Sequence, residues 1–269
     1  MIKQAMIFAA GRGTRLGELT KVTPKPLIEV AGEKPLLRHL DSLKKVGMTR
    51  VVVNAHHLGD QVVAAVEAWK ANNPQGMDVI LSVEEELLET GGGLREALPY
   101  LDGKEPCLVL NGDVVWSSGF ENVVRDLYDQ YKPNMLSFLA VTPTENTKGF
   151  LPKANGDFFI DDENKLQRAN KEAGEPAPYI FSGVSLVVPA ATALPKYGKC
   201  YSISELWTDM AAYGALYGMP HDVDWVDMGS PEGMKCAEAL INYEKSGEAE
   251  ASKRTIDHDE SEDYGHYGA

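Results

Sequence analysis

The chain of 269 residues is long enough for one large domain or two small ones, and its hydrophobic (43%) and charged (25%) fractions are typical of a soluble globular protein. The formal net charge of −14 at pH 7 argues against partners that bind through nucleic-acid phosphates or an anionic membrane surface. No apolar run approaches the 18 residues of a membrane span and no secretory signal is recognisable, so we expect a cytoplasmic protein.

The cysteines and the acidic end of the chain add two expectations. The three cysteines are widely spaced and form no C-x-x-C pair, which favours buried thiols in a reducing compartment over disulfides or a zinc site: Cys107, Cys200 and Cys236. Residues 248–269 hold seven acidic side chains against two basic ones, which leaves a formal charge of about −9 on the rest. We expect this segment to be a disordered extension of a single domain at 1–247.

Strands and helices are predicted to alternate over the first 130 residues. The first strand leads into a Gly-rich loop, and leucines at helical spacing predict the first helix. The predicted strands lie at about 4–9, 51–55, 78–83 and 107–110, and the predicted helices at 35–46, 59–72 and 93–100. This βαβ pattern predicts a doubly wound parallel sheet, whose ligand sites lie beyond the carboxyl ends of the strands.

The second half of the chain has a different pattern, with short strands joined by Gly, Pro and Asn loops. The predicted strands lie at about 136–141, 157–160 and 179–188, and the predicted helices at 190–197, 203–213 and 231–245. We expect these strands to extend the first sheet rather than to form a separate domain.

The loop after the first strand has the residues of an anion site. Gly11 and Gly13 can adopt positive φ and let backbone N–H groups approach an anion, and Arg15 and Lys25 supply countercharge. The loop matches neither G-x-x-x-x-G-K-[ST] nor the dinucleotide pattern G-x-G-x-x-G. A polyphosphate is the ligand that this combination favours.

Polar residues also follow the other predicted strands. His56 and His57 come after the second strand, and we interpret them as loop residues because no third ligand lies at suitable spacing. Asp113 ends the fourth strand, and Asp227 ends an apolar segment before a Gly-Ser-Pro turn. Two carboxylates suit Mg²⁺, which keeps waters and bridges substrate phosphates, but the spacing leaves open whether these two side chains meet.

Two motifs identify a family resemblance. The string A-A-G-R-G-T-R-L at 9–16 and T-P-K-P-L at 23–27 resemble the signature of the sugar-1-phosphate nucleotidyltransferases. The resemblance covers about residues 3–245 with its motifs in order, and it implies an α/β fold. That fold is a Rossmann-like (GT-A-type) mixed, mainly parallel sheet flanked by helices in three α/β/α layers.

The resemblance assigns roles residue by residue. It implies catalytic roles for Arg15 and Lys25, and a Mg²⁺ ion held jointly by Asp113 and Asp227. It implies a nucleotide-binding half at residues 1–133 and a sugar-binding half at 134–247 of one domain. We expect the three glycines at 91–93 to form a flat backbone surface with an open helix N-terminus. The implied nucleotide-binding residues are Ala9, Ala10, Gly11, Arg12, Gly13, Thr14, Glu84, Thr90, Gly91 and Gly92. The implied sugar-binding residues are Asn111, Asp157, Ser182, Gly183 and Trp225.

The finer motifs resemble most the short bacterial N-acetylmuramate-1-phosphate uridylyltransferases, which use UTP and a sugar-1-phosphate in peptidoglycan recycling. Because a carboxylate at Glu84 accepts an N–H of uracil or the N1 and N2 donors of guanine, a mannose- or heptose-1-phosphate guanylyltransferase is the alternative. Two further alternatives are a cytidylyltransferase that acts on an alcohol phosphate and a catalytically silent relative that binds a nucleotide-sugar. Two departures from the family are a longer segment between Pro143 and Gly156 and the order Lys171-Glu172, so no role is transferred to that lysine.

Overall fold

Seven strands form the continuous path of the central sheet. The structure is a computed structural model that describes residues 3–147, 155–170, 173–194 and 196–259, with side chains described to Gly247. The longer segment noted after Pro143 lies largely outside the described residues, as does the pair Lys171-Glu172. The path comprises β1 (Gln4–Phe8), β2 (Arg50–Ala55), β3 (Asp78–Val83), β4 (Cys107–Asn111), β6 (Ser137–Pro143), β9 (Tyr179–Val187) and β10 (Leu216–Pro220).

Short strands and helices complete the described architecture. A separate two-stranded sheet pairs β5 (Val114–Trp116) with β11 (Trp225–Asp227), and β7 (Phe158–Ile160) pairs with β8 (Leu166–Arg168) and β9. The helices are α1 (Leu19–Val22), α2 (Pro35–Lys45), α3 (Gly59–Asn72), α4 (Glu89–Glu96), α5 (Phe120–Gln130), α6 (Ile203–Ala212) and α7 (Pro231–Asp259). Among the described residues, no helix is both long and apolar enough to span a membrane.

The strand order is β10-β6-β9-β4-β1-β2-β3. β4, β1, β2 and β3 pair in parallel, β9 is antiparallel to both β4 and β6, and β10 pairs in parallel with β6. The chain leaves β1 towards β2 on one side, whereas β4 lies on the other side. This reversal beside β1 is the position at which ligands bind in open α/β sheets.

Alternation of side chains along the strands produces a core on each face of the sheet. In β2, Val51 and Val53 belong to the cluster that contains the buried faces of α2, α3 and α5, whereas Val52 belongs to the cluster beneath α4 and α6. A parallel strand covered on both sides is therefore a continuous apolar run, as predicted. The expected three-layer α/β/α class, with a mixed and mainly parallel sheet, is confirmed.

A third apolar cluster packs α7 against the two-stranded sheet. Pro231 opens α7, and the Ser230 hydroxyl accepts a hydrogen bond from the Gly233 N–H at 3.0 Å, which caps the helix. The helix continues to Asp259, beyond the predicted end at 245. The acidic segment 248–269 thus begins within a helix, and its remaining residues lie outside the described part, so its disorder stays a prediction.

Several element predictions were wrong or incomplete. The helix predicted at 93–100 begins at Glu89, and the helix predicted at 190–197 is a 3-10 turn over Pro189–Ala193. No helix or strand was predicted at α1, α5, β5, β8, β10 or β11. The buried residues Phe120, Val123, Val124 and Leu127 nevertheless give α5 clear helical spacing. The three cysteines are free, but Cys200 is exposed, which corrects the expectation that all three are buried.

His221, which follows β10, predicts a loss of stability in acid. Burial lowers the pKa of His221 to about 4, from an ordinary value of 6.5. Because the folded pKa lies below the unfolded one, stability is lost as the pH falls from 6.5 towards 4. The variant His221→Gln can keep the 2.9 Å hydrogen bond to the Ser182 hydroxyl. Between pH 7 and 4.5 we expect its free energy of unfolding to fall by about 2 kcal/mol less than that of the parent protein. Urea unfolding at the two pH values measures this, and equal losses would contradict it.

Candidate active site

The Gly-rich loop and the Asn111-Gly112-Asp113 turn meet because β1 and β4 are neighbours. Phe8 at the end of β1 pairs in register with Asn111, and the Gly112 N–H donates to the Phe8 carbonyl at 3.0 Å. A Cβ at Gly112 would lie only 2.5 Å from that carbonyl oxygen. Glycine at this position therefore allows the turn to place Asp113 directly beside the Gly-rich loop.

Only one of the two loop glycines is needed for its backbone conformation. Gly13 has φ +61°, and a Cβ there would approach Thr20 Cγ2 at 2.9 Å and Lys25 Cβ at 3.1 Å. The Thr20 hydroxyl also donates to the Gly13 carbonyl at 3.1 Å. Gly11 has no positive φ and no atom within 4 Å of a built Cβ, so the expectation of positive φ is wrong there.

Asp113 and Asp227 are brought together by the two-stranded sheet. β5 follows Asp113 immediately, and β11 pairs with it antiparallel so that Asp227 opposes Val114. The Met228 N–H donates to the Asp113 carbonyl at 3.0 Å, which continues the ladder. Backbone pairing between distant segments thus places the two carboxylates at one point, the meeting that the sequence left open.

Lys25 lies between these two carboxylates with only 6% of its side chain exposed. Its Nζ donates to Asp113 Oδ2 and lies 3.7 Å from Asp227 Oδ1. The exposed Arg15 guanidinium lies 4.0 Å from Asp227 Oδ2 and packs over Gly229, where a Cβ would overlap it. All four predicted charged residues are therefore assembled in one cluster.

The two carboxylates of the cluster are candidate ligands for a cation. Burial, followed by the nearby Asp113 carboxylate, raises the pKa of Asp227, while Lys25 and Arg15 oppose that rise. Both carboxylates keep a partly exposed side chain, 28% for Asp113 and 27% for Asp227. The residues present fit a Mg²⁺ ion, which takes one or two carboxylates and completes its shell with water and phosphate oxygens. Over the described ranges no group of three or more His, Cys, Asp or Glu forms a metal cluster.

Two adjoining cavities form a cleft along the Gly-rich loop. One, of ≈ 320 Å³, is lined by Arg12, Thr14, Asn54, Leu87, Glu89 and Thr90 among others. The other, of ≈ 420 Å³, shares Thr14 and Thr90 and continues to Arg15, Lys25, Asn111 and Asp113. A ligand lying along the cleft would place its anionic part at the charged cluster and its other end against Asn54 and Leu87.

A larger cavity of ≈ 700 Å³ lies elsewhere, between α2 and α7. Its central cation, Arg38, already binds Glu33 at 2.7 Å, Glu244 at 2.5 Å and the Trp116 carbonyl at 3.0 Å. Those contacts join α2 to α7 and pair the guanidinium with two carboxylates of the protein itself. The cleft along the Gly-rich loop is therefore the candidate site.

The glycine run after β3 serves packing and helix entry. α4 already begins at Glu89, so Gly91 and Gly92 lie in its first turn, and both N–H groups donate to the Tyr201 carbonyl, at 2.9 and 3.2 Å. This corrects the expectation of an open helix N-terminus. The Thr90 hydroxyl accepts from the Ile203 N–H at 2.9 Å, yet Thr90 still lines both cavities.

Replacing Gly91 with alanine is expected to destabilise the fold. A Cβ there would lie 2.7 Å from Tyr201 Cδ2, and Tyr201 is 3% exposed. We expect a loss of about 2 kcal/mol, typical of overpacking. The matched control is Gly59→Ala at the start of α3, where the nearest contact would be an ordinary 3.7 Å, and little change is expected. Urea unfolding of both variants checks this, and similar stabilities would contradict it.

Glu84 lies behind the cleft along the Gly-rich loop and is 4% exposed. Asn54 Nδ2 donates to its Oε1 at 2.7 Å, and the Leu88 N–H donates to its Oε2 at 3.1 Å. Burial raises the pKa of Glu84, while these two hydrogen bonds oppose the rise. Sequence reasoning missed Asn54, although a polar side chain within the apolar run Val51–Ala55 was a usable signal. His56 and His57 lie in the β2–α3 loop, as interpreted.

The predicted sugar-binding residues lie on β4, β9 and β11 and in the segment before β7. Asn111 lines the cavity next to Lys25. Ser182 and Trp225 are buried, 0% and 3% exposed, and Trp225 packs near Trp116 with ring centroids 6.3 Å apart. Asp157 accepts from the Phe181 N–H at 3.2 Å, and Gly183 has φ +88° beside Val114. Their roles in sugar binding stay predictions.

Comparison with known proteins gives consistent matches along most of the chain. The family model described as nucleotidyl transferase matches residues 4–243. The N-acetylmuramate alpha-1-phosphate uridylyltransferase of Caulobacter vibrioides is 34% identical over 240 residues, 89% of this chain and 97% of the relative. The protein of the same name from Neisseria meningitidis is 33% identical over 243 residues, 88% of this chain and 97% of the relative.

A solved structure supports the same architecture. HddC from Yersinia pseudotuberculosis, complexed with GMP-PN, is similar with a TM-score of 0.67 at 20% identity, covering 89% of this chain and 99% of that chain. At this identity the similarity concerns the fold alone.

Proposed function

The chain belongs to the nucleotidyl transferase family, and from this premise we propose that it joins a nucleoside triphosphate to a sugar-1-phosphate and releases pyrophosphate. The observation that carries the proposal is the meeting of Arg15, Lys25, Asp113 and Asp227 at one end of the cleft along the Gly-rich loop. The family match over residues 4–243 confirms the resemblance predicted from the Gly-rich loop.

The proposed reaction is an in-line displacement. A phosphate oxygen of the sugar-1-phosphate attacks the α-phosphorus of the triphosphate. The bond from that phosphorus to the oxygen bridging the α- and β-phosphates breaks, and pyrophosphate leaves with the electron pair. Because the protein forms no covalent bond, its contribution is positioning and charge stabilisation.

The charged cluster provides that stabilisation. Arg15, exposed at the mouth, neutralises the departing phosphates, and the buried Lys25 lies where the reacting phosphates meet. Asp113 and Asp227 would hold a Mg²⁺ ion, which would offset negative charge on the α-phosphate. Lys25 also keeps the two carboxylates from repelling each other before substrate arrives.

We propose UTP and N-acetylmuramate-1-phosphate as the substrates, which places the reaction in peptidoglycan recycling in the cytoplasm. The names of the two bacterial relatives, each similar over nearly its full length, support this choice. Within it, residues 1–133 bind the nucleotide and residues 134–247 the sugar. GTP with mannose- or heptose-1-phosphate is the second candidate, because the mannose-1-phosphate guanyltransferase beta-A of Xenopus laevis is 30% identical over 232 residues, 85% of this chain and 62% of that relative.

A pyrophosphate-release assay tests the proposal. The purified protein with Mg²⁺ is given UTP, GTP, CTP, ATP and dTTP in combination with N-acetylmuramate-, N-acetylglucosamine-, glucose- and mannose-1-phosphate. We expect UTP with N-acetylmuramate-1-phosphate to be fastest. No turnover with any pair, alongside tight binding of a UDP-sugar, would favour the catalytically silent relative instead.

A further inference from the structure

Asn54 and Glu84 form a buried polar pair next to the nucleotide cleft. Asn54 lies in β2 and Glu84 directly after β3, and their side chains are 2% and 4% exposed. Gly93 of α4 lies over the pair, where a Cβ would come within 2.8 Å of Glu84 Oε1 and 2.9 Å of Asn54 Nδ2. The fold therefore leaves room for these two side chains and little else.

The hydrogen bonds determine the orientation and charge of the pair. The Ala9 N–H can only donate, so the Asn54 atom 2.7 Å from it is Oδ1, and Nδ2 faces Glu84. Glu84 receives one hydrogen bond from Asn54 Nδ2 and one from the Leu88 N–H. Because both neighbours are donors, both oxygens accept, and the two hydrogen bonds stabilise the ionised carboxylate against the effect of burial.

This network joins the two walls of the cleft. Ala9 begins the Gly-rich loop, and Leu88 lies in the segment whose Leu87 and Thr90 line the opposite wall. Two side chains, Asn54 and Glu84, connect the two walls. They link the Ala9 N–H on one wall to the Leu88 N–H on the other. A change in either side chain would alter the spacing of the walls.

We propose that Asn54 and Glu84 are positioning residues that set the distance between the Gly-rich loop and the Leu87–Thr90 segment for the nucleotide. The inference rests on the proposed function, since it concerns the nucleotide site of that reaction. It differs from the expectation that Glu84 contacts the base. Both Glu84 oxygens face protein donors, and Asn54 lines the cavity whereas Glu84 lies behind it.

A reversal of the pair tests the inference. Asn54→Asp alone sets two carboxylates against each other, and Glu84→Gln alone turns an amide N–H₂ towards another donor. In the double variant Asn54→Asp/Glu84→Gln, the new carboxylate at position 54 accepts from the Ala9 N–H and from the new amide. The amide oxygen at position 84 accepts from the Leu88 N–H. The double variant therefore restores every hydrogen bond with the same formal charge.

We expect each single variant to raise KM for the nucleotide about tenfold or more, and the double variant to return it to within about threefold of the parent. The nucleotide preference should stay unchanged throughout. The matched control is Gln4→Ala at the other end of β1, which removes three buried hydrogen bonds to Asp102 and Glu105 backbone groups. It should lower Tm and leave KM within about twofold.

Two results would overturn the inference. One is a double variant as impaired as the worse single variant. The other is a change in nucleotide preference that follows Glu84→Gln into the double variant, as expected of a side chain that reads the base. If the parent protein turns over no substrate pair, the proposed function fails, and the same variants are compared by calorimetric binding of Mg²⁺-UTP. The order of affinities then decides the inference separately.

Discussion

Replacing Lys25 with alanine is expected to lower kcat by roughly 10²- to 10³-fold, the range found when one preorganised charge-stabilising donor is removed. Lys25 is buried between Asp113 and Asp227, so its ammonium group is held in place before substrate binds. Such a group needs no reorganisation as charge develops on the transferring phosphate, and its loss also leaves two carboxylates unscreened. The measurement is initial-rate pyrophosphate release at saturating substrates.

Two further variants keep the Lys25 result interpretable. Lys25→Met preserves the length of the side chain, and thermal unfolding of both variants shows whether the fold is retained. Lys21→Ala is the matched control, because Lys21 is exposed on α1 and pairs only with Glu18 across 2.6 Å in the described contacts. Full activity in a folded Lys25→Ala protein would show that the assignment of this lysine is wrong.

Replacing Asp227 with asparagine is expected to reduce kcat on the order of 10²-fold and to raise the Mg²⁺ concentration needed for half-maximal rate. The substitution is close in shape and can keep the 2.5 Å hydrogen bond from the Gly229 N–H, so it removes mainly charge. The raised pKa of Asp227 reflects burial and the nearby Asp113 carboxylate. A divalent cation would stabilise the ionised form of both carboxylates.

A magnesium titration of the rate measures this effect. Asp222→Asn is the matched control, since Asp222 is exposed on the same segment before β11 and lies outside the carboxylate cluster. An unchanged magnesium dependence in Asp227→Asn, together with a normal rate, would remove this residue from the proposed metal site.

Much of the structure of residues 1–133 could be predicted, because its strands, helices and loops are indicated by patterns within short segments. Val51, Val52 and Val53 form an unbroken apolar run, since a parallel strand with helices on both faces is buried on both sides. Gly13 and Lys25 were recognised from spacing, and the structure shows the reason for the glycine in its φ of +61° and its contact with Lys25. The pattern was weaker for β5, whose three residues are too few to establish a period.

Other features of the site could not be predicted, because the deciding contacts come from distant parts of the chain. The glycines at 91 and 92 were interpreted as an open backbone surface, yet their N–H groups bind the Tyr201 carbonyl. Glu84 stays a predicted nucleotide-binding residue, but its Oε1 accepts a hydrogen bond from Asn54 of β2, which lies 30 residues earlier in the chain. Neither partner can be deduced from the residues on either side of these positions, because each contact depends on how α6 and β2 pack.

The sequence by itself determined the alternation of strands and helices, the anion-binding loop and the identity of the charged residues, because backbone propensity and burial pattern are properties of short segments. Only the tertiary structure decided that Asp113 and Asp227 meet at Lys25, and that Asn54 and Glu84 connect the two walls of the cleft. The physical reason is register: the β5–β11 pairing and the neighbouring positions of β1, β2 and β3 fix which distant side chains share one point.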